Sequence, residues 1–258
     1  MKRLYDNFIP VPAAHWRRFV AGRAMLETGD NRLRLMTVDA QRQGYSNAEL
    51  DDANDLPRSS FHWQPPLRLT LRARFSHPTQ QLRGTAGFGF WNHPVAPGYW
   101  PVLPRAIWFF HGSQPGDIKL DSNTPGWGWK ATTIDTLRPS ALALLPLAPV
   151  AALLMNIPAL YRRLWPPIQQ AVRVQEQLLD SAMDEWHIYT LDWGTEVAHF
   201  FVDGQPVLLN APSPRGPLCF VAWVDNQYAI VKPWGRFGWG LLDVPGQQWL
   251  DIEWLAIE

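Results

Sequence analysis

The chain has 258 residues, enough for one large domain, and its charges balance at 23 basic against 23 acidic side chains. That balance excludes the basic footprint of a nucleic-acid binder and a general attraction to anionic membranes. The 15 tryptophans and 12 phenylalanines supply a large apolar payload, which 24 prolines and 18 glycines cut into short segments, the texture of an all-β protein.

The first 19 residues, MKRLYDNFIPVPAAHWRRF, carry basic side chains without a continuous apolar core. They do not read as a secretory signal, and a cytoplasmic location is the default expectation. Trp16, Phe19, Val20 and Met25 are expected to pack an outer strand onto the body. Residues 32–38 alternate, with Leu33, Leu35 and Thr37 opposing Arg34 and Met36, and predict a strand. Residues 41–60 are polar, with Glu49, Asp51, Asp52 and Asp55 close together. They read as a solvated loop, a cation site being the sharper alternative.

Residues 67–75 place Leu67, Leu69, Leu71, Ala73 and Phe75 on one face and Arg68, Thr70, Arg72 and Arg74 on the other, the pattern of a strand with one buried side. Residues 85–91, TAGFGFW, predict a strand in which Gly87 and Gly89 leave room for a ligand or a neighbouring backbone. Further strands are expected at 106–111 and 127–134.

Residues 138–184 interrupt this series. The stretch 141–161, ALALLPLAPVAALLMNIPALY, holds no charged residue and matches the length needed to cross a bilayer. Pro146, Pro149 and Pro158 each remove a helix hydrogen bond, and a crossing would part strands that belong together. An apolar flap over the sandwich is the expectation. Pro167 is expected to open an amphipathic helix carrying Ile168, Ala171, Val172, Gln175, Leu178, Leu179 and Ala182 on one face. Contact with a membrane surface or a second copy through 141–179 is an alternative to intramolecular packing.

Residues 184–209, DEWHIYTLDWGTEVAHFFVDGQPVLL, read as strands joined by tight turns. Trp186, Ile188, Thr190 and Asp192 alternate with His187, Tyr189, Leu191 and Trp193, and Asp203-Gly204 is a hairpin turn signal. The pattern E-W-H-x-Y-x-L-x-W, a turn, then F-x-V-D-G-x-x-V resembles the same segment of glycoside hydrolase family 16, through Glu185, Trp186, His187, Tyr189, Leu191, Trp193, Phe201, Val202, Asp203, Gly204 and Val207. Residues 217–220 and 249–257 echo it more weakly. The resemblance implies a concanavalin A-like jelly-roll β-sandwich of two antiparallel sheets, one domain over 1–258 with a helical apolar insertion around 139–184. About ten or more strands, with others at 218–224 and 249–257, suit that architecture.

The family's retaining hydrolysis uses an E-x-D-x-E or E-x-D-x-x-E strand, and its two catalytic carboxyls must stand about 5–5.5 Å apart. The corresponding strand here is RAIWFFH, residues 105–111, which has no carboxylate, and no Asp or Glu occurs from Leu56 to Gly116. Family 16 hydrolysis is therefore not expected. The groove is expected to hold Trp91, Asn92, His93, Trp108, His111, Trp129, Trp223, Asp225, Asn226 and Tyr228 as ligand-binding residues. His93, His111, Lys130 and Asp225 are candidate acid–base groups. The tryptophans also suit a thick sandwich core, and Cys219 suits a small buried hydrophobe. Ligand spacing for a metal is lacking, Gly84, Gly87 and Gly89 do not form a phosphate loop, and no G-x-S-x-G elbow is present, so no metal or cofactor is expected.

Three functions fit these features. The first is a non-hydrolytic protein binding a carbohydrate-like or apolar small molecule in the cleft. The second is an isomerase, hydratase or cyclase acting on a hydrophobic small molecule beneath the flap. The third is a structural or oligomerisation module.

Overall fold

The computed structural model describes residues 3–95 and 100–258. The N-terminal third contains β1 (Leu4–Asp6), β2 (Arg17–Ala21), β3 (Ala24–Gly29), β4 (Arg32–Ala40), β5 (Asn47–Asp51), β6 (Leu67–Phe75) and β7 (Thr85–Trp91). Then come β8 (Arg105–Gly112), β9 (Asp117–Ile118) and β10 (Gly128–Asp135), followed by helices α1 (Pro139–Leu142), α2 (Ala148–Leu154) and α3 (Pro158–Ala171). The remainder is β11 (Gln175–Leu178), β12 (His187–Trp193), β13 (Val197–Val202), β14 (Gln205–Pro212), β15 (Cys219–Asp225), β16 (Gln227–Val231), β17 (Phe237–Leu241) and β18 (Val244–Ile257).

Two antiparallel sheets stack as a sandwich. The first runs β14-β13-β12-β6-β18-β4-β3 with β1 paired to β18, and the second runs β11-β10-β8-β7-β15-β5-β2. A small third sheet, β17-β16-β9, is not hydrogen-bonded to either but lies against the second, with Ile118 of β9 packed on Phe110 and Trp223. Alternation builds the core. Leu69, Leu71, Ala73 and Phe75 of β6 and Tyr189, Leu191 and Trp193 of β12 face Phe88, Phe90, Ile107, Phe109 and Trp129 of the second sheet. The Trp129 ring lies 5.2 Å from Phe75 and 5.8 Å from Tyr189. Each such fully buried side chain stabilises the sandwich by about 1.5–3 kcal/mol. In β18 a register shift between Ile252 and Trp254 lets Leu250 and Ile252, then Leu255 and Ile257, all point inward.

The outer face of the first sheet is tiled by arginine. The Arg74 guanidinium stands 4.8 Å from the Trp186 ring and 5.1 Å from Trp249, while buried Asp251 binds Arg34 at 2.6 Å.

Four expectations are corrected. Residues 47–51 are not a solvated loop: they form β5, buried at every position, because Ala48 and Leu50 face the core between β15 and β2. Met25 is exposed because Ala24 and Leu26 turn the other face of β3 to the core. Val20 is exposed because β2 is the edge strand of its sheet, although it pairs with core-facing Ala48. The helix expected from Pro167 begins instead at Pro158, with Pro166 and Pro167 inside it. Both prolines are exposed, and each removes one helix hydrogen bond, to the carbonyls of Arg162 and Arg163. It ends at Ala171, and Arg173 at φ +53° turns the chain so that residues 175–178 pair with β10 as β11.

The insertion packs intramolecularly, its end laying Val172 and Val174 against Ala106, Ile134, Trp91 and Trp108 on the outer face of the second sheet. It also docks on the 119–126 loop and the 232–236 turn: Trp165 Nε1 donates to the Leu120 carbonyl, Gln169 to Asp121, and Asn156 to the Trp234 carbonyl. No helix of the described residues is long and apolar enough to cross a membrane.

Candidate functional site

The outer face of the second sheet is an aromatic floor. Trp91 closes β7, Trp108 and Phe110 occupy alternate positions of β8, and Trp223 faces them from β15. Trp91 and Trp223 are parallel at 6.4 Å, Trp108 is 6.0 Å from Trp91 and 5.2 Å from Trp223, and Phe110 stacks on Trp108 at 5.5 Å. The room left by the β7 glycines is filled from within. A Cβ on Gly87 would stand 2.9 Å from the Trp223 ring, and one on Gly89 would meet Trp108. Trp223 and Phe110 are thereby buried, while Trp91 and Trp108 stay half-exposed. A space of about 10 Å³ lies beside Phe110 and Thr85, bordered by Tyr228 of β16. Among the described residues this face is shallow at the rings. The 270 Å³ depression between Pro66, Arg68, Asp192 and Glu258 belongs to the first sheet, away from these groups.

A buried acid cluster adjoins the floor. In β5 the positions facing outward are Asn47, Glu49 and Asp51, and Glu49 pairs in register with Trp223. Arg17 Nε donates to both Asp51 oxygens at 3.0 and 2.9 Å, and Asn47 donates to Glu49 at 3.0 Å. His93, at φ +51°, brings Nε2 to 3.9 Å from Glu49 and 3.4 Å from Arg17, while Arg58 clamps the carbonyls of Asn92 and His93. Burial, then the neighbouring Asp51 charge, pushes the Glu49 carboxyl up to about 8. Burial, with Arg17 and Arg58 nearby, pulls His93 down to about 4. At neutral pH the site therefore presents a protonated acid beside an uncharged imidazole.

Next along the sheet, Trp223 Nε1 donates to Thr85 Oγ1 at 2.9 Å, and that hydroxyl donates to Asp225 Oδ1 at 2.9 Å. Burial raises Asp225 to about 7 despite these bonds. At the other edge Lys130 and Glu176 pair at 3.3 Å, closed to solvent. Four strand steps separate Lys130 from Glu49, about 20 Å at the usual spacing.

Of the residues expected from the sequence, Trp91, His93, Trp108, Trp223 and Asp225 come together here. His111 and Trp129 do not: alternation turns both into the inter-sheet core, where His111 Nε2 meets the Leu82 carbonyl at 3.0 Å and Trp129 is fully buried. Asn92 is spent on the Leu103 carbonyl and the Arg105 N–H, and Asn226 on the backbone of Gln41, Gly44, Ser46 and Leu242. Tyr228 only borders the face, and Lys130 lies at its far edge. The sequence reading missed Arg17, Glu49, Asp51, Phe110 and Glu176 as site residues. The polar–apolar alternation of Asn47-Ala48-Glu49-Leu50-Asp51 was the available signal for β5. Hence carboxylates do reach this face, at Asp225 of β15 and at Glu49 and Asp51 of β5, two and three strands from β8, although β8 has none.

No family model and no curated protein matches the sequence. Solved structures match the fold along its whole length. A laminarinase from Flavobacterium sp. UMI-01 aligns with TM-score 0.52 and 12% identity, covering 98% of each chain. A lichenase, a prokaryotic β-1,3-1,4-glucanase from a mouse hindgut metagenome, aligns at 0.50 and 14% identity over 100% of this chain and 99% of its own. A Bacteroides ovatus mixed linkage glucan GH16 protein in complex with a G4G4G3G product aligns at 0.50 and 8% over 99% of both. With two antiparallel sheets in this order, the chain has the concanavalin A-like jelly-roll fold of the family 16 glucanases.

Proposed function

We propose that the protein binds a carbohydrate on the outer face of the second sheet and does not hydrolyse it. The observation that carries this reading is β8, whose outward positions are Trp108 and Phe110. Retaining hydrolysis needs two carboxyls astride the scissile bond, and a pair of rings offers stacking instead. A sugar ring laid on the half-exposed Trp91 and Trp108 would meet Glu49 as a neutral carboxyl, able both to donate and to accept. The glucan-active proteins that share the fold favour a β-glucan as the first ligand to try. Titration calorimetry with laminarin and lichenan oligosaccharides is the test. Binding weakened roughly tenfold or more by Trp108→Ala, with no reducing ends released, is the expected result. Release of reducing ends that stops in Glu49→Gln would overturn it, assigning Glu49 and Asp51 as a catalytic pair.

One observation favours a second reading, acid–base turnover of an apolar small molecule. Glu49 and His93 stand 3.9 Å apart with their proton affinities inverted, an arrangement suited to passing a proton. An apolar metabolite retained by native mass spectrometry, and lost in Trp108→Ala, would favour it over the glycan.

A further inference from the structure

The flap presents its apolar side outward. Val150, Leu153 and Leu154 of α2, with Ile157 just beyond it, follow the i, i+3, i+4, i+7 spacing that a globular helix turns to its core, yet all four are exposed, Leu153 to 72%. The opposite side carries buried Met155 and half-buried Ala151 and Ala152. Leu142, Leu145 and Leu147 extend the exposed surface toward α1. The 232–236 turn packs on α2, with Gly235 against Ala152 and Trp234 edge-on to Tyr161 at 5.1 Å. That turn leads directly into β17, where Phe237 and Trp239 are exposed to 74% and 78%.

Charge identifies the occupant. From residue 136 to 175 the sequence holds Arg138, Arg162, Arg163 and Arg173 and no Asp or Glu. Arg138 is paired with buried Asp135 at 3.2 Å, which leaves Arg162, Arg163 and Arg173 as the local positive excess. Arg162 and Arg163 are exposed at the start of the second turn of α3 and join no ion pair among the described residues. A second copy of this face would set these cations against each other, whereas an anionic lipid surface neutralises them. We propose that α2 and the chain flanking it form an interfacial membrane anchor: the Val150–Leu153–Leu154–Ile157 stripe enters the headgroup boundary, and Arg162 and Arg163 engage lipid phosphates and carboxylates. The anchor lies on the bilayer without crossing it, consistent with the helix lengths. The balanced charge of the whole chain hides this local excess.

Co-sedimentation of the full chain with phosphatidylcholine vesicles, with and without phosphatidylserine, tests the proposal. Binding to the serine-containing vesicles that weakens with salt is expected, with about a fivefold loss of affinity for each of Arg162→Ala and Arg163→Ala. Leu153→Glu with Ile157→Glu should abolish binding while leaving the melting temperature unchanged, because both positions are exposed. Absence of binding by the folded protein would overturn the proposal. So would a concentration-dependent dimer, measured by light scattering, that the same double variant dissolves, since the occupant would then be a second copy.

Discussion

The Lys130 ammonium stands 3.3 Å from Oε2 of Glu176, with 0% and 3% of their side chains exposed. Burial raises the Glu176 carboxyl to about 7 and lowers Lys130, each opposed by the other's charge. Such a pair is costly to desolvate as a unit and costlier to break, because removing one partner strands a buried charge. Glu176→Gln should therefore lower the unfolding free energy by about 3–5 kcal/mol at pH 7, read from urea denaturation. Replacing both residues, as Lys130→Met with Glu176→Leu, should recover most of that loss. Equal losses in the single and double variants would show that the two groups are not coupled.

Glu49, Asp52, Asp225 and Glu176 share one sign of shift. Burial raises each, to about 8 for Glu49 and about 7 for the others, above ordinary values of 3.8 for Asp and 4.5 for Glu. The folded state then holds protons that the unfolded chain has released, so their stabilising effect is complete below about pH 4 and is lost as pH rises through 7 to 8. His93 and His111 oppose this. Burial lowers both from 6.5 to about 4, so they contribute stability that grows as pH rises across that interval. Above 6.5 the histidine contribution is constant and the carboxyls alone act. The urea midpoint should fall between pH 6.5 and 8, with a slope of up to about 1.4 kcal/mol per pH unit for each carboxyl still titrating. Glu49→Gln should flatten the upper end of that slope and raise stability at pH 8. A midpoint that climbs through this window would contradict the protonation states assigned to the cluster.

How much of this was legible in the sequence depends on how each segment signals burial. In β6 and β12 apolar and polar residues alternate cleanly, so both strands and their inward faces could be read directly. The same alternation, applied to Ile107, Phe109 and His111, would have turned His111 inward; its imidazole instead suggested chemistry. At β5 the acids themselves misled. A run of Glu49, Asp51 and Asp52 ordinarily means solvent, and only tertiary partners such as Arg17 for Asp51, or Trp63 and the Phe220 N–H for Asp52, make its burial tenable. Those partners are distant in sequence. Residues 175–178 continue a helical apolar pattern, and only the reversal at Arg173 and the free edge of β10 make them a strand.

Gly87 is the position on which the aromatic floor depends. Any Cβ there meets the Phe109 carbonyl and comes within 2.9 Å of the Trp223 ring. Gly87→Ala should destabilise the fold by about 1–3 kcal/mol and alter the near-ultraviolet circular dichroism as Trp223 shifts. Gly204→Ala is the matched control: its φ is +76° but nothing lies within 4 Å, so it should cost about 1 kcal/mol without changing the tryptophan signal. If Gly87→Ala left both stability and the tryptophan signal untouched, the packing of Trp223 over the β7 glycines would be refuted.

Asn226 separates a structural role from a binding one. Its Oδ1 accepts from the Ser46 N–H at 2.9 Å, and Nδ2 lies 3.1 Å from each of the Gln41, Gly44 and Leu242 carbonyls, all in a fully buried setting. The side chain thus ties the 41–46 turn, which leads into β5, to the chain beyond β17. Asn226→Ala leaves buried donors and acceptors without partners and should cost about 2–4 kcal/mol, seen as a lower melting temperature. Because its polar atoms are all engaged by backbone groups, the fraction that remains folded should keep the carbohydrate affinity proposed above. Trp108→Ala should behave in the opposite way, weakening binding while costing less stability, since its ring is half-exposed. Should Asn226→Ala instead abolish binding at full stability, the amide would belong to the ligand site and its backbone bonds would be incidental.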